Sequence, residues 1–457
     1  MKFGLNKYYL EIWWKGIKSL PATTSLHGFR FITDMKRHWI ERMCWLALVI
    51  LSWYGSSLLI AAQYDAFVNN PISFVVETTY KDWNTKFPSV AVCESDNMSS
   101  FRIWGPDHDF NIEEVLKELT YYKGVTYYAS EYCGNEDPIP ECFMSNLTFY
   151  ANLIRSDCNK ILQNCSWNDM EFDCCEYFRI MDTEIGPCYA INSLQGRNAP
   201  KLEMVSNRTS GPGNLKLHVM VPAKVYILNE EDVPALTTLG ADIVTVGPEV
   251  VFRRTFEIRN IENDAAARLI SPEKRKCRYT DENILDVYRH YSYSACTVQC
   301  RKEAQMRLCN CTNFFMPNVP EHVKCNISGV LCLNKYASDW SILKARWSPR
   351  QGLFCDCLPS CTEAEISVVK DFQEFTQANG VVHFELAALP NERYRRNVVR
   401  GILDLVVSAG GTAGLFLGAS ILSFVELLVI LLVRPFFTYK KKNTATMILP
   451  RKSKHSQ

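Results

Sequence analysis

The sequence predicts an α+β membrane protein in which two transmembrane helices flank a large, disulfide-rich, mixed α/β ectodomain. Three observations predict it. A long uncharged or nearly uncharged run lies near each end, basic residues gather outside those runs, and cysteines and sequons are confined between them.

The first run, Met43–Tyr64, holds 22 residues without a formal charge. At helical rise it measures about 33 Å, enough for a hydrocarbon core of about 30 Å. It starts too late and runs too long for a cleavable signal peptide, so it reads as a signal anchor. Residues 1–42 carry eight Lys/Arg and three acids, and residues 434–457 carry seven Lys/Arg and no acid. Subtracting both flanks from the chain's net +1 leaves −11 for residues 43–433. Basic flanks stay cytoplasmic, which puts both termini inside and residues 65–401 outside. The near-zero net charge gives no support to a nucleic-acid binder.

The middle of the chain agrees independently. Of 19 cysteines, 18 lie between Cys93 and Cys361, and the remaining one is Cys44 in the first run. An even number suits an oxidised ectodomain. Six N-x-S/T sequons fall in the same stretch, at Asn97, Asn146, Asn164, Asn207, Asn310 and Asn326. They mark glycosylation and outward topology together. A zinc site at Cys309-x-Cys311 is the rival reading. Zinc needs thiolates, and this segment belongs to an oxidising compartment. The stretches 74–79, 89–93, 215–221, 242–246, 250–258, 366–369 and 381–386 read as strands. Ile112–Tyr122 and Tyr279–Cys309 read as helical. Spacing alone fixes no pairing among the ten cysteines from Cys277 to Cys361. Cysteine-rich finger (about 94–187) and thumb (about 277–361) segments follow. No G-x-S-x-G, H-E-x-x-H or P-loop occurs, and the eight histidines form no obvious metal pair. Glu113-Glu114 and Glu230-Glu231-Asp232 read as solvated faces rather than acid/base dyads. No enzyme activity, metal or cofactor is expected.

The second run, Ile402–Val433, is 32 residues long with two charges, Asp404 and Glu426. A plain lipid anchor needs neither. Gly410, Gly414 and Gly418 recur at helical spacing, which suits either close helix packing or a pore wall. As one straight helix the run would measure about 48 Å and need a tilt near 50°, beyond the usual range. It therefore projects past the bilayer or breaks, and Gly418-Ala419-Ser420 is the natural break. Broken backbone is tolerated at membrane depth only where it lines a cavity or is buried in protein. Two helices cannot enclose a pore, so a channel reading demands several copies.

Several motifs together resemble the degenerin / epithelial sodium channel family, which includes the acid-sensing channels. They are Leu26-His27-Gly28 before the first run, Phe87-Pro-Ser-Val-Ala-Val-Cys93 after it, and Cys188-Tyr-Ala-Ile-Asn192. The thumb adds Cys296-x3-Cys300-x8-Cys309-x-Cys311 and Cys355-Asp-Cys-Leu-Pro-Ser-Cys361. The second run adds Gly414-Leu-Phe-Leu-Gly-Ala-Ser420 with Glu426 six residues later. Asp404–Gly411 and Ser271–Cys277 look most like the arthropod pickpocket branch. Glu273–Lys276 stands where acid-sensing members carry a Trp. Val407, with Ser408 next, stands three residues before Gly410, where the family is usually small and where bulk is associated with altered gating.

The resemblance implies a trimeric, amiloride-sensitive, sodium-selective cation channel of the plasma membrane. It would be homo- or heteromeric with related subunits, gated by an extracellular ligand or mechanical stimulus, with sodium as permeant ion and membrane lipid around it. Gly418, Ala419 and Ser420 would form the selectivity filter and Gly414 the amiloride ring. His27 and Gly28 would line the lower pore. Asp404 would add an acidic ring outside and Glu426 one toward the cytoplasm. It also implies Cys93–Cys188 and a nested ladder that the thumb spacing permits: Cys277–Cys361, Cys296–Cys357, Cys300–Cys355, Cys309–Cys332 and Cys311–Cys325. The finger cysteines Cys133, Cys142, Cys158, Cys165, Cys174 and Cys175 stay unassigned, except that Cys165 is expected to meet Cys174 or Cys175. The rivals are a non-conducting regulatory subunit and a two-span adhesion or ligand-binding receptor.

Overall fold

A computed structural model describes residues 27–78, 83–96, 110–134, 142, 145–196, 200–376, 380–399 and 401–429. Two compact units divide the chain, residues 1–73 with 398–457, and residues 74–397.

The described residues of the first unit are mostly helical. Helix Trp39–Asn69 starts behind His38, whose imidazole accepts the Ile40 N–H at 3.3 Å. It extends past both ends of the expected 43–64 span because Glu41, Arg42 and the Gln63–Asn69 stretch are compatible with helix though not with hydrocarbon. Asn70 leaves the helix at φ −134°, as the residue before Pro71 is driven to do. Among the described residues this is the one helix long and apolar enough to cross a membrane. Apolar helix Ile402–Leu417 packs on it. Gln63 donates to the Thr412 hydroxyl at 3.0 Å, and Ser56 and Thr412 are buried. A shorter helix, Ile421–Leu428, follows. The expected 402–433 span is thus two helices; its last residues, 430–433, and the tail 434–457 lie outside the described residues.

The second unit is built on two larger sheets. Strand Ser89–Glu94 is buried at all six positions, between Ala223–Leu228 and Gly186–Ile191 in a five-stranded sheet. Its alternation feeds two cores. Val90 and Val92 join Trp167, Phe256 and Phe384, whereas Ala91 and Cys93 join Met181, Tyr226, Val298 and Met316. Phe87 meets Trp167 and Phe256 edge-on, with ring centroids 4.8 and 5.4 Å apart. In a six-stranded sheet, Val250–Arg259 pairs antiparallel with Glu365–Phe375 and parallel with Gly380–Leu386. A third sheet has the order Ile72–Glu77, Arg393–Val398, Ile261–Asn263. The expected strands appear with shifted ends. Leu162–Trp167, Arg179–Thr183 and Gly186–Ile191 were not expected from their weak local preference, which tertiary pairing overrides, whereas Ala223–Leu228, also not expected, has the apolar, β-branched and aromatic residues of an ordinary strand.

The thumb departs from expectation at its start. Its helix is Tyr293–Cys309, not 279–309. The Asn283 side chain donates to the Leu285 and Tyr288 carbonyls, which holds the preceding stretch in turns. Ser292 then caps the helix by accepting the Ala295 N–H at 3.1 Å. Glu184 and Arg301, both fully buried, pair at 2.6 Å. The pair ties the turn between two sheet strands to the thumb helix. Leu236 donates its N–H to the same carboxylate, and Arg301 also donates to the Trp340 carbonyl.

Candidate functional site

The helix beginning at Ile402 ends where glycine permits it. Gly418 adopts φ +63°, ψ 19°, and its N–H donates to the Gly414 carbonyl at 3.0 Å. Glycine closes a helix in this left-handed conformation at the least cost. Ala419 is buried, and Ser420 starts the next helix. The Ser420 hydroxyl accepts the Ser423 N–H at 3.3 Å, and the Ser423 hydroxyl accepts the Ser420 N–H at 3.1 Å. The two hydroxyls thereby satisfy amides that a helix start leaves unpaired.

The N-terminal segment folds back onto this break. The His27 N–H donates to the Leu417 carbonyl at 3.0 Å. A Cβ built on Gly418 would overlap the His27 ring at Nδ1. Gly28 adopts φ +86°, and a Cβ there would come 2.5 Å from Val49. Both glycines are therefore required twice, by backbone conformation and by close approach. The break, His27 and Gly28 form one packed group within the helical unit.

The other span residues separate from that group. The Asp404 carboxylate accepts the Gly401 N–H at 2.9 Å and closes the first turn of its helix. Val407 is exposed, and the Ser408 carbonyl accepts the Thr412 hydroxyl at 2.9 Å. Among the described residues, nothing would meet a Cβ on Gly410 or Gly411, and on Gly414 the nearest atom is the Ala419 carbonyl oxygen at 3.8 Å. Glu426 lies on Ile421–Leu428. Thr412 and Gln63, which join the two helices, had no signal in the sequence beyond being polar within apolar stretches.

In the second unit the disulfides are Cys93–Cys188, Cys133–Cys142, Cys158–Cys175 and Cys165–Cys174, followed by five in the thumb. Those five are Cys277–Cys361, Cys296–Cys357, Cys300–Cys355, Cys309–Cys332 and Cys311–Cys325. Cys44 is free. Asn146 and Asn326 cap helix starts, Asn310 caps a helix end, and Asn164 has φ 47°. The Asn207 carboxamide accepts the Thr209 and Ser210 N–H groups. Asn97 lies outside the described residues. No group of three or more metal-ligating side chains occurs among the described residues.

One acidic run is not the solvated face that its sequence suggests. Glu231 is 2% exposed and accepts hydroxyls from Ser360 and Thr362 at 2.8 and 3.0 Å. Asp232 accepts the Ser294 hydroxyl at 2.6 Å. Burial raises the pKa of both. Glu363 is pushed up to about 7, first by burial and then by the charges of Asp232 and Glu231. Only Glu230 behaves as read, pairing with Lys86 at 3.1 Å near the surface.

A family model described as amiloride-sensitive sodium channel matches residues 21–430. The chain is 24% identical to sodium channel protein Nach of Drosophila ananassae, over 89% of this chain and 84% of that one. It is 23% identical to pickpocket protein 19 of Drosophila melanogaster, over 90% and 89%. It is 24% identical to acid-sensing ion channel 4-B of Danio rerio, over 96% and 78%.

Proposed function

The chain belongs to the amiloride-sensitive sodium channel family, and from that premise we propose that it forms a sodium-selective, amiloride-sensitive channel of three subunits in the plasma membrane. Each subunit contributes two spans, both termini are cytoplasmic, and residues 65–401 face outside. Three copies of the second span ring the axis. Gly418, Ala419 and Ser420 are the filter, and Gly414, one turn outward, receives amiloride. Asp404 and Glu426 add negative charge above and below, and the −11 carried by residues 43–433 favours cations at the mouth.

The observation that carries this reading is the helix broken at Gly418 with His27 seated against it. A membrane helix has no reason to stop and restart in lipid, where freed carbonyls cost several kcal/mol. It has one where carbonyls and a hydroxyl replace part of an ion's hydration shell. The glycine positions 410 and 411, where a Cβ would meet nothing among the described residues, support close approach by neighbouring copies. The test is reversal potential in sodium against potassium. Enlarging or replacing Ser420 should change the permeability ratio, and a side chain at Gly414 should weaken amiloride block with the ratio kept. If substitutions at 418–420 change only current size, these residues are packing. If the chain reaches the surface and passes no current alone, it is a regulatory subunit.

A further inference from the structure

We infer that His27 and its copies in the other subunits form a cytosolic binding site for a borderline transition cation, such as Zn2+, directly beneath the filter. The inference rests on the channel reading above and extends it to a ligand. Three observations carry it. The His27 ring lies against Gly418, since a Cβ at 418 would overlap Nδ1. His27 is exposed rather than sealed in the helical packing. Neither ring nitrogen has a hydrogen-bond partner among the described residues, although the backbone N–H is fixed to Leu417. The imidazole is thus held in place by its main chain and by Gly28, and among the described residues no hydrogen bond engages its ring nitrogens.

Symmetry supplies the rest. A residue that touches the narrowest ring of a threefold pore stands nearly as close to the axis as the ring does. Three imidazoles then converge on one point, and three imidazoles with a water make a complete zinc coordination set. Imidazole selects zinc, nickel and copper over magnesium or calcium, which take oxygen ligands. His27 precedes the first span, which begins at Trp39, so the site opens to the cytosol. A divalent ion bound there sits in the exit path of the permeant ion and blocks it.

The experiment uses the full chain in inside-out patches, with Zn2+ applied to the cytosolic face. Reversible block is expected, and Mg2+ at the same concentration should not reproduce it. His27→Gln should raise the concentration for half block at least about tenfold, measured as a fraction of whatever current the variant carries. Independently of current, His27→Cys in a Cys44→Ser background should give a dimer-sized product on mild oxidation of membranes, read on a non-reducing gel. Cys44→Ser alone should not. Zinc block that survives His27→Gln, or failure of the His27→Cys chains to cross-link, overturns the site. Absence of any wild-type sodium current overturns the channel reading instead, and the cross-link still decides whether the His27 side chains meet.

Discussion

Gly418 carries two separable demands, and a pair of substitutions can divide them. An alanine there would occupy a left-handed conformation, which costs roughly 1–2 kcal/mol for an L-residue, and would also overlap the His27 ring. Gly418→Ala should therefore reduce current strongly. Gly418→Ala combined with His27→Ala should recover part of the loss, leaving only the conformational cost. No recovery in the double variant would mean that His27 does not press on Gly418 in the working protein. A second residue-scale expectation concerns Glu363. Its pKa of about 7 lies above the ordinary carboxylate value, so the folded state holds the proton more tightly than the unfolded state does. The linkage sign follows. Below the unfolded value of about 4.3 the group costs nothing. As pH rises toward 7 the fold loses stability, and above 7 the loss is complete. Thermal unfolding of the detergent-solubilised chain should show a melting temperature that falls over this window, and Glu363→Gln should flatten the slope. A slope unchanged by that variant would assign the effect to Glu231 and Asp232, whose pKa values are raised by the same burial.

Between elements, the contact with most at stake is Glu184–Arg301. Both side chains are fully buried, and the pair joins a turn between sheet strands to the thumb helix. Removing one partner leaves an uncompensated charge in the interior, which typically costs about 3–5 kcal/mol. Arg301→Met should lower the thermal midpoint sharply, whereas Glu184→Gln with Arg301→Met should restore much of it; equal damage from the single and double variants would show that packing, not charge, is the issue. None of this was legible in the sequence, where Glu184 and Arg301 stand 117 residues apart and belong to no motif. What was legible depended on signals that survive without tertiary context. Runs rich in β-branched and aromatic residues gave Val250–Arg259 and Gly380–Leu386 nearly to their ends. Length arithmetic on the second run required a break or an overhang, and the chain breaks at Gly418. The apparent helix over 279–292 failed because side-chain-to-backbone bonds from Asn283 outcompete helical ones. The burial of Glu231 was hidden because its partners, Ser360 and Thr362, arrive from about 130 residues downstream. The contact between His27 and Gly418 is equally non-local. Only the family resemblance, not the local pattern, pointed to a pore-facing segment there.

At the scale of the whole molecule, the proposed channel needs contacts between copies that a single chain cannot supply. Gly410 and Gly411 lie inside helix Ile402–Leu417, where each costs roughly 0.5–1 kcal/mol relative to alanine. Among the described residues, nothing lies within 4 Å of a Cβ built at either position. On the channel reading proposed above, the space these glycines leave is where a neighbouring copy would approach. In lipid the hydrophobic effect does not drive helices together, so close backbone approach over small residues is a main source of association. This separates folding from assembly. Gly411→Leu should leave the individual chain folded and at the surface, since leucine is the better helix former and its Cβ would meet nothing among the described residues. The same substitution should reduce oligomer recovered on native gels and reduce current in proportion. Gly410→Ala, adding a single methyl group, should fall between wild type and Gly411→Leu. Surface labelling, native electrophoresis and whole-cell current on the same cells distinguish the cases. If Gly411→Leu keeps both oligomer and current, the open glycine face meets lipid and the copies associate elsewhere. If surface abundance falls as far as current does, the glycines serve folding of the single chain.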